Sequence, residues 1–152
     1  MLRPFIILIL FIPTLTFGQP FLLSDKNVKK GQFIALWEIY FEAFKPNLQT
    51  KPQLQLDSVN SFLINNKDVL VEIGVHTDFR GDDKLNLKLS QDRADTLKKY
   101  LIKKGIDPKR ITAIGFGETK PVIEYEDWKT LMDTHRCGYY GKTNRRVTVV
   151  VK

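Results

Sequence analysis

The stretch whose reading decides the fold is "DVLVEIGVHTDFRGDDKLNLKLSQDRADTLKKYLIKKG", Asp68 to Gly105. Its first residues alternate, with Val69, Val71, Ile73 and Val75 on one side of an extended chain and Leu70, Glu72, Gly74 and His76 on the other, so a β-strand is predicted. A polar loop, "DFRGDD", then ends the alternation. Beyond it the apolar residues recur at helical spacing, from about Leu85 to Lys104, with Leu89, Ala94, Leu97 and Leu101 on one stripe. Gly105 stands where a left-handed residue stops a helix, and Ile106 and Pro108 complete the exit.

Working outward, "FIALWEIYF" from Phe33 has apolar residues on both alternating sets and reads as a strand covered on both faces. Pro52 is placed to open a helix whose buried face is Leu56, Val59, Phe62 and Leu63. After Gly105 come the strand "RITAIGFG", an irregular stretch from Glu118 to Thr143 rich in aromatic and turn residues, and a final alternating strand, "NRRVTVVV". Strand, helix, strand, helix, strand, strand predicts an α+β fold, a layered domain with helices packed on a mixed sheet.

The first residues set the expected compartment. Arg3 precedes the apolar run "FIILILFI", too short to span a bilayer, and Thr16 and Gly18 are small residues at the positions a signal peptidase reads. The expectation is a signal peptide over 1–18, a lead-in over 19–32 and one domain over 33–152; an uncleaved anchor is the competing reading. No cysteine follows the run to accept a lipid. Cys137, the one cysteine of the 152 residues, excludes an internal disulfide, so the core must hold the fold. The net charge of +7 raises an anionic partner, but lysines and acids are scattered, which suits a solvated basic surface better. Nucleic-acid binding would need those cations on one face with stacking aromatics, and secretion argues against it.

Two charged residues stand out. Asp78 follows the second strand and Arg93 lies fifteen positions on, inside the helix; Asn86 and Arg93, nearly two turns apart, share a helical face. An aspartate just ahead of a helix is also expected to meet main-chain N–H groups. Plain structural readings exist for each: Asp78 as a cap for the helix start between Asp82 and Leu85, Arg93 as a surface charge beside Asp92, Arg145 and Arg146 as a basic strand end. His76 and Asp78 sit on one strand face, as metal ligands can. Only His135 and Cys137 could join them and no ligand spacing is present, so no metal or other cofactor is expected. His76 reads as a structural residue holding the loop. No serine or cysteine lies in a nucleophile elbow, and no enzyme is expected.

"VEIGVHTDFRG", "NLKLSQDRADTLKKYLIKKGI", "RITAIGFGETKPV" and "NRRVTVVV" stand in an order and spacing that resembles the OmpA-like, peptidoglycan-associated domain of Gram-negative cell envelopes. "IYFEAFKPNL" looks like that family's opening strand and turn, so the resemblance covers Phe33 to Lys152. The "DFRG" loop and the insert before "NRRV" are most similar to Bacteroidetes members. The resemblance implies non-covalent binding of peptidoglycan through the diaminopimelate of its stem peptide. A free amino-acid end presents an ammonium beside a carboxylate. By resemblance Asp78 accepts from the first and Arg93 grips the second with two parallel hydrogen bonds. Asn86 can join the site, and Arg145 reaches it from the start of the last strand. The implied location is the periplasm, after secretion across the inner membrane, with outer-membrane association and an outer-membrane protein as a further partner.

Three departures from the family pattern bear on that site. Phe44 stands where Asn or Asp is common, Val75 where glycine is usual, and Arg80 where a small hydroxyl residue is frequent. Phe44 neither donates nor accepts, and Val75 and Arg80 are expected to crowd the site, or Arg80 to add a cation for a carboxylate. The alternative to ligand binding is an envelope protein-interaction module with a degenerate pocket.

Overall fold

The computed structural model describes residues 22–25, 27–51, 53–133 and 143–152. The expected signal segment, Pro52, His135, Cys137, Tyr139 and Tyr140 lie outside the described residues, as does the Trp128 side chain. The elements are β1 (Phe33–Leu36), α1 (Leu54–Asn65), β2 (Val71–His76), α2 (Asp83–Lys103), β3 (Ile111–Gly117), α3 (Tyr125–Asp133) and β4 (Arg146–Val151), with a 3-10 turn over Pro108–Arg110. The strand order is β1-β4-β2-β3: β4 runs antiparallel to both its neighbours, and β2 and β3 are parallel across the α2 crossover. The sheet is therefore mixed, as expected.

The period-based expectations hold where burial enforces them. Leu56, Val59, Phe62 and Leu63 of α1 are all buried, as are Val71, Ile73 and Val75 of β2 and Val147, Val149 and Val151 of β4. Each large member, Phe62 for instance, contributes about 1.5 to 3 kcal/mol of apolar burial. On α2 the stripe is Ala94, Leu97 and Leu101, with Leu89 only half-buried and Ser90 fully buried in its place. Gly105, at φ +100°, ends α2 as the sequence requires. In the expected lead-in, Leu23 and Val28 pack against the core.

Two expectations fail. β1 is four residues long and lies at the sheet edge, so it is not a long strand covered on both faces. Its extension is intercepted by glutamines: Gln55 accepts from Glu38 N at 3.0 Å, while Gln53 accepts from Tyr40 N at 3.0 Å and donates to Tyr40 O at 3.1 Å. These bonds satisfy the main chain without a neighbouring strand. The stretch from Glu118 to Thr143 is not wholly irregular, since α3 forms within it. Tyr125, Trp128 and Leu131 recur at helical spacing with Glu126 and Asp127 in the first turn, a pattern masked by the turn-rich composition around it.

What positions the site is the contact of α2 with β3. At Gly115 and Gly117 the two backbones nearly touch. Gly115 N donates to the Gln91 side chain and Gly117 N to the buried Ser90 hydroxyl, both at 2.8 Å. The register of β2 with β3 shifts here, from Val75 opposite Gly115 to His76 opposite Gly117, so Phe116 is the extra residue of a bulge. Leu36, Val147, Val75 and Gly115 stand in one row across the sheet. The chain leaving β1, β2 and β3 and the residues approaching β4 therefore meet at one edge.

Candidate functional site

Asp78 sits at that edge, two residues beyond β2 and only 4% exposed. Thr77 N donates to Gly117 O at 2.8 Å, carrying the parallel pairing one step past the strands. Asn86, in the first turn of α2, donates Nδ2 to Glu118 Oε2 at 2.8 Å, to Arg80 O at 3.1 Å and to Asp78 O at 3.3 Å. The loop that carries Asp78 is thus tied both to α2 and to the residue after β3. Asp82, and not Asp78, caps α2, accepting from Leu85 N at 3.0 Å. The main-chain N–H that meets the Asp78 carboxylate is that of Arg80, within its own loop, at 3.2 Å.

Two guanidinium groups close on Asp78 Oδ2. Arg145, just before β4, donates Nη1, and Arg80 donates Nε at 3.0 Å with Nη2 at 2.9 Å. Arg93 is elsewhere. Among the described residues no hydrogen bond or ion pair joins it to Asp78, whose Oδ2 is taken by Arg145 and Arg80. Arg93 Nε donates to Lys45 O at 3.0 Å and Nη2 to Glu42 O at 3.4 Å, with the guanidinium 4.8 Å from the centre of the Phe41 ring. Two carbonyls and an aromatic face hold a half-buried guanidinium well, whereas Asp78 is already shared by two others. Burial, then the charge of Arg145, lower the Arg93 pKa. Arg93 is not a surface charge of Asp92, which pairs with Lys88 at 2.9 Å. Arg146 turns away, to Lys120 O at 2.9 Å, and burial alone lowers its pKa to about 10.

Asp78, Asn86 and Arg145 therefore converge directly, while the Arg93 guanidinium is held by the turn after Phe41. Glu118 and Phe41 were not legible as site residues. For Glu118 a signal existed: it follows β3 directly, so the ends of two parallel neighbours bring it beside the Asp78 loop.

Residues 40–130 match the OmpA family. The chain belongs to the OmpA family. It is 35% identical over 97 residues to the peptidoglycan-associated lipoprotein of Buchnera aphidicola, covering 64% of this chain and 53% of that one. In general it spans about half the length, or less, of the curated relatives it matches. The crystal structure of the peptidoglycan-associated lipoprotein from Burkholderia pseudomallei superposes with a TM-score of 0.58 at 24% identity, over 86% of this chain and 98% of that one. The cell wall anchor of the T6SS from Pseudomonas aeruginosa superposes with a TM-score of 0.59 at 25% identity, over 78% and 79%. Membership of this family of structural envelope proteins agrees with the expectation that the chain is not an enzyme.

The departures from the OmpA pattern resolve differently from one another. Val75 is buried in the core and does not crowd the edge. Phe44 is 92% exposed and holds a left-handed backbone, φ +56°, beside the carbonyls that Arg93 grips. A bulky residue at positive φ is strained by about 1 to 2 kcal/mol, and Asn tolerates that region far better. Phe44→Asn is therefore expected to stabilise the domain by about 1 kcal/mol, read as a higher urea midpoint with an unchanged slope. An unchanged or lowered midpoint would contradict the strain.

His76 is the buried polar residue beneath the site. Its Nε2 lies 3.2 Å from Thr148 Oγ1, its ring stacks on Phe116 at 5.0 Å, and among the described residues Nδ1 has no partner. Burial first, then the charges of Arg146 and Lys120, push its pKa down to about 3 from the ordinary 6.5. The folded state thus refuses a proton that the unfolded chain takes up below pH 6.5. Stability is full above that value and falls as the pH drops toward 3, by up to about 1.4 kcal/mol per pH unit from this group. Urea unfolding at pH 7 and pH 4.5 should show a smaller loss in His76→Asn than in the wild type. Equal losses in the two proteins would mean that His76 protonates freely in the fold.

Proposed function

We propose that this OmpA-like domain binds peptidoglycan non-covalently, through the free amino-acid end of the diaminopimelate in its stem peptide, and so tethers or organises the cell envelope. One observation carries the reading: a buried carboxylate, Asp78, lies beside Arg145 at one edge of the sheet, with the half-buried Arg93 further along the helix that holds Asn86. An ammonium needs an acceptor-only group and an adjoining carboxylate needs forked donors. Asp78 takes the ammonium. Arg145 and the Arg93 Nη1, which no described residue engages, take the carboxylate, and Asn86 holds the loop that aims Asp78. The relative named a peptidoglycan-associated lipoprotein supports the coarser part of this reading, association with peptidoglycan. With it go the division into a signal peptide over 1–18, a lead-in over 19–32 and the domain over 33–152. The accompanying location is the periplasm, after secretion, in association with the outer membrane and an outer-membrane protein.

Titration with two synthetic stem peptides tests this reading. One carries meso-diaminopimelate and the other lysine, which lacks the carboxylate at the free amino-acid end. Losing a charge-assisted contact is expected to weaken the lysine peptide about tenfold or more. Equal affinities would overturn the diaminopimelate assignment, and no binding of either would leave an envelope protein-interaction module with a degenerate pocket.

A further inference from the structure

Asp78 carries the carboxylate that a ligand ammonium must reach, yet Arg80 and Arg145 already share its Oδ2 oxygen. The Arg80 side chain is 57% exposed, against 6% for that of Asp78, so it covers the buried acid from the solvent side. Three guanidinium groups, of Arg80, Arg93 and Arg145, gather at this edge, and among the described residues Asp78 is the one carboxylate that any of them contacts. Glu118 is bonded to Asn86 instead. Burial first, and then the charge of Arg145, disfavour the charged form of the half-buried Arg93, as expected of a cation without enough anions nearby.

A ligand end with one ammonium and one carboxylate is neutral overall and leaves this excess of positive charge in place. Its ammonium, on reaching Asp78, displaces the exposed Arg80. The freed guanidinium remains two residues from Asp78 and within side-chain reach of whatever is bound there. We infer that Arg80 is a specificity residue that leaves Asp78 on binding and pairs with a second carboxylate of the same stem peptide, so that peptides with free carboxyl groups are preferred to amidated ones. A carboxylate offers a guanidinium two charged acceptors, whereas a carboxamide offers one neutral oxygen and two donors that guanidinium cannot accept. The inference rests on the diaminopimelate reading of the same site.

The test uses two forms of the tripeptide L-alanyl-γ-D-glutamyl-meso-diaminopimelate. One has every carboxyl group free; the other is amidated at all but the carboxyl of the free amino-acid end. Both are titrated into the wild type and Arg80→Ser, a change at an exposed position that spares the core. The wild type is expected to favour the free form by about tenfold or more, the worth of one charge-assisted contact. Arg80→Ser is expected to lose that preference while holding the amidated form at least as well as the wild type does, because Asp78 is no longer covered. A wild type that binds both forms equally, or an Arg80→Ser protein that keeps the preference, overturns the role of Arg80 and leaves the diaminopimelate reading intact. A wild type that binds neither form overturns both.

Discussion

Gly115→Ala should leave the protein unfolded, or close to it, under conditions in which the wild type is fully native. A Cβ at this position would stand 2.1 Å from Gln91 N, 2.5 Å from Gln91 Cα and 2.6 Å from Ser90 C. All three atoms belong to the backbone of α2, so no side chain can turn aside and the helix itself must lift from β3. Lifting it would break the bonds from Gly115 N to Gln91 and from Gly117 N to the Ser90 hydroxyl, leaving buried polar groups unpaired. Overpacking alone costs about 1 to 3 kcal/mol where side chains can adjust. With the backbone as the obstacle and two buried bonds at stake, a loss of about 3 kcal/mol or more is expected, a large share of the roughly 5 to 15 kcal/mol that holds a domain together. A urea midpoint within error of the wild type would show that α2 does not sit directly on β3.

The second large effect is on binding. Asp78→Ala removes the buried carboxylate that the site offers to an ammonium, leaving Arg80, Arg93 and Arg145 to repel the ligand's positive end. Truncating one member of a desolvated charge pair costs about 2 to 5 kcal/mol, which is about thirtyfold to several thousandfold in affinity. The fold should survive. Arg80 and Arg145 are exposed enough to be rehydrated, and Asn86 still reaches the main-chain oxygen of residue 78. Arg93→Ala should weaken binding by a similar factor for two reasons. It removes a donor to the ligand carboxylate, and it releases the turn that Arg93 fastens through Glu42 O and Lys45 O.

The elements legible in the sequence were those in which one periodicity is enforced by burial. Alternation located β2 and β4, the three- and four-residue spacing located α1 and α2, and Gly105 marked the end of α2. β1 was read too long, because its extension is taken over by the side chains of Gln53 and Gln55, a competition that no local pattern records. Of the site, Asp78, Asn86 and Arg145 come together. The company they keep was not legible. Two arginines share one carboxylate, and the third, Arg93, is held instead by the carbonyls of residues 42 and 45 and by the Phe41 ring, contributed by a turn about fifty residues earlier in the chain. Phe44 shows the opposite limit. Its absence of polar groups was visible from the sequence, but not that it would stand in solvent with a left-handed backbone.

The most direct measurement is co-sedimentation with purified sacculi that contain diaminopimelate, using the wild type, Asp78→Ala and Arg93→Ala side by side, each checked for native circular dichroism. Binding through this site requires that the wild type pellet with the sacculi while both variants stay in the supernatant. Equal pelleting of all three proteins would contradict it.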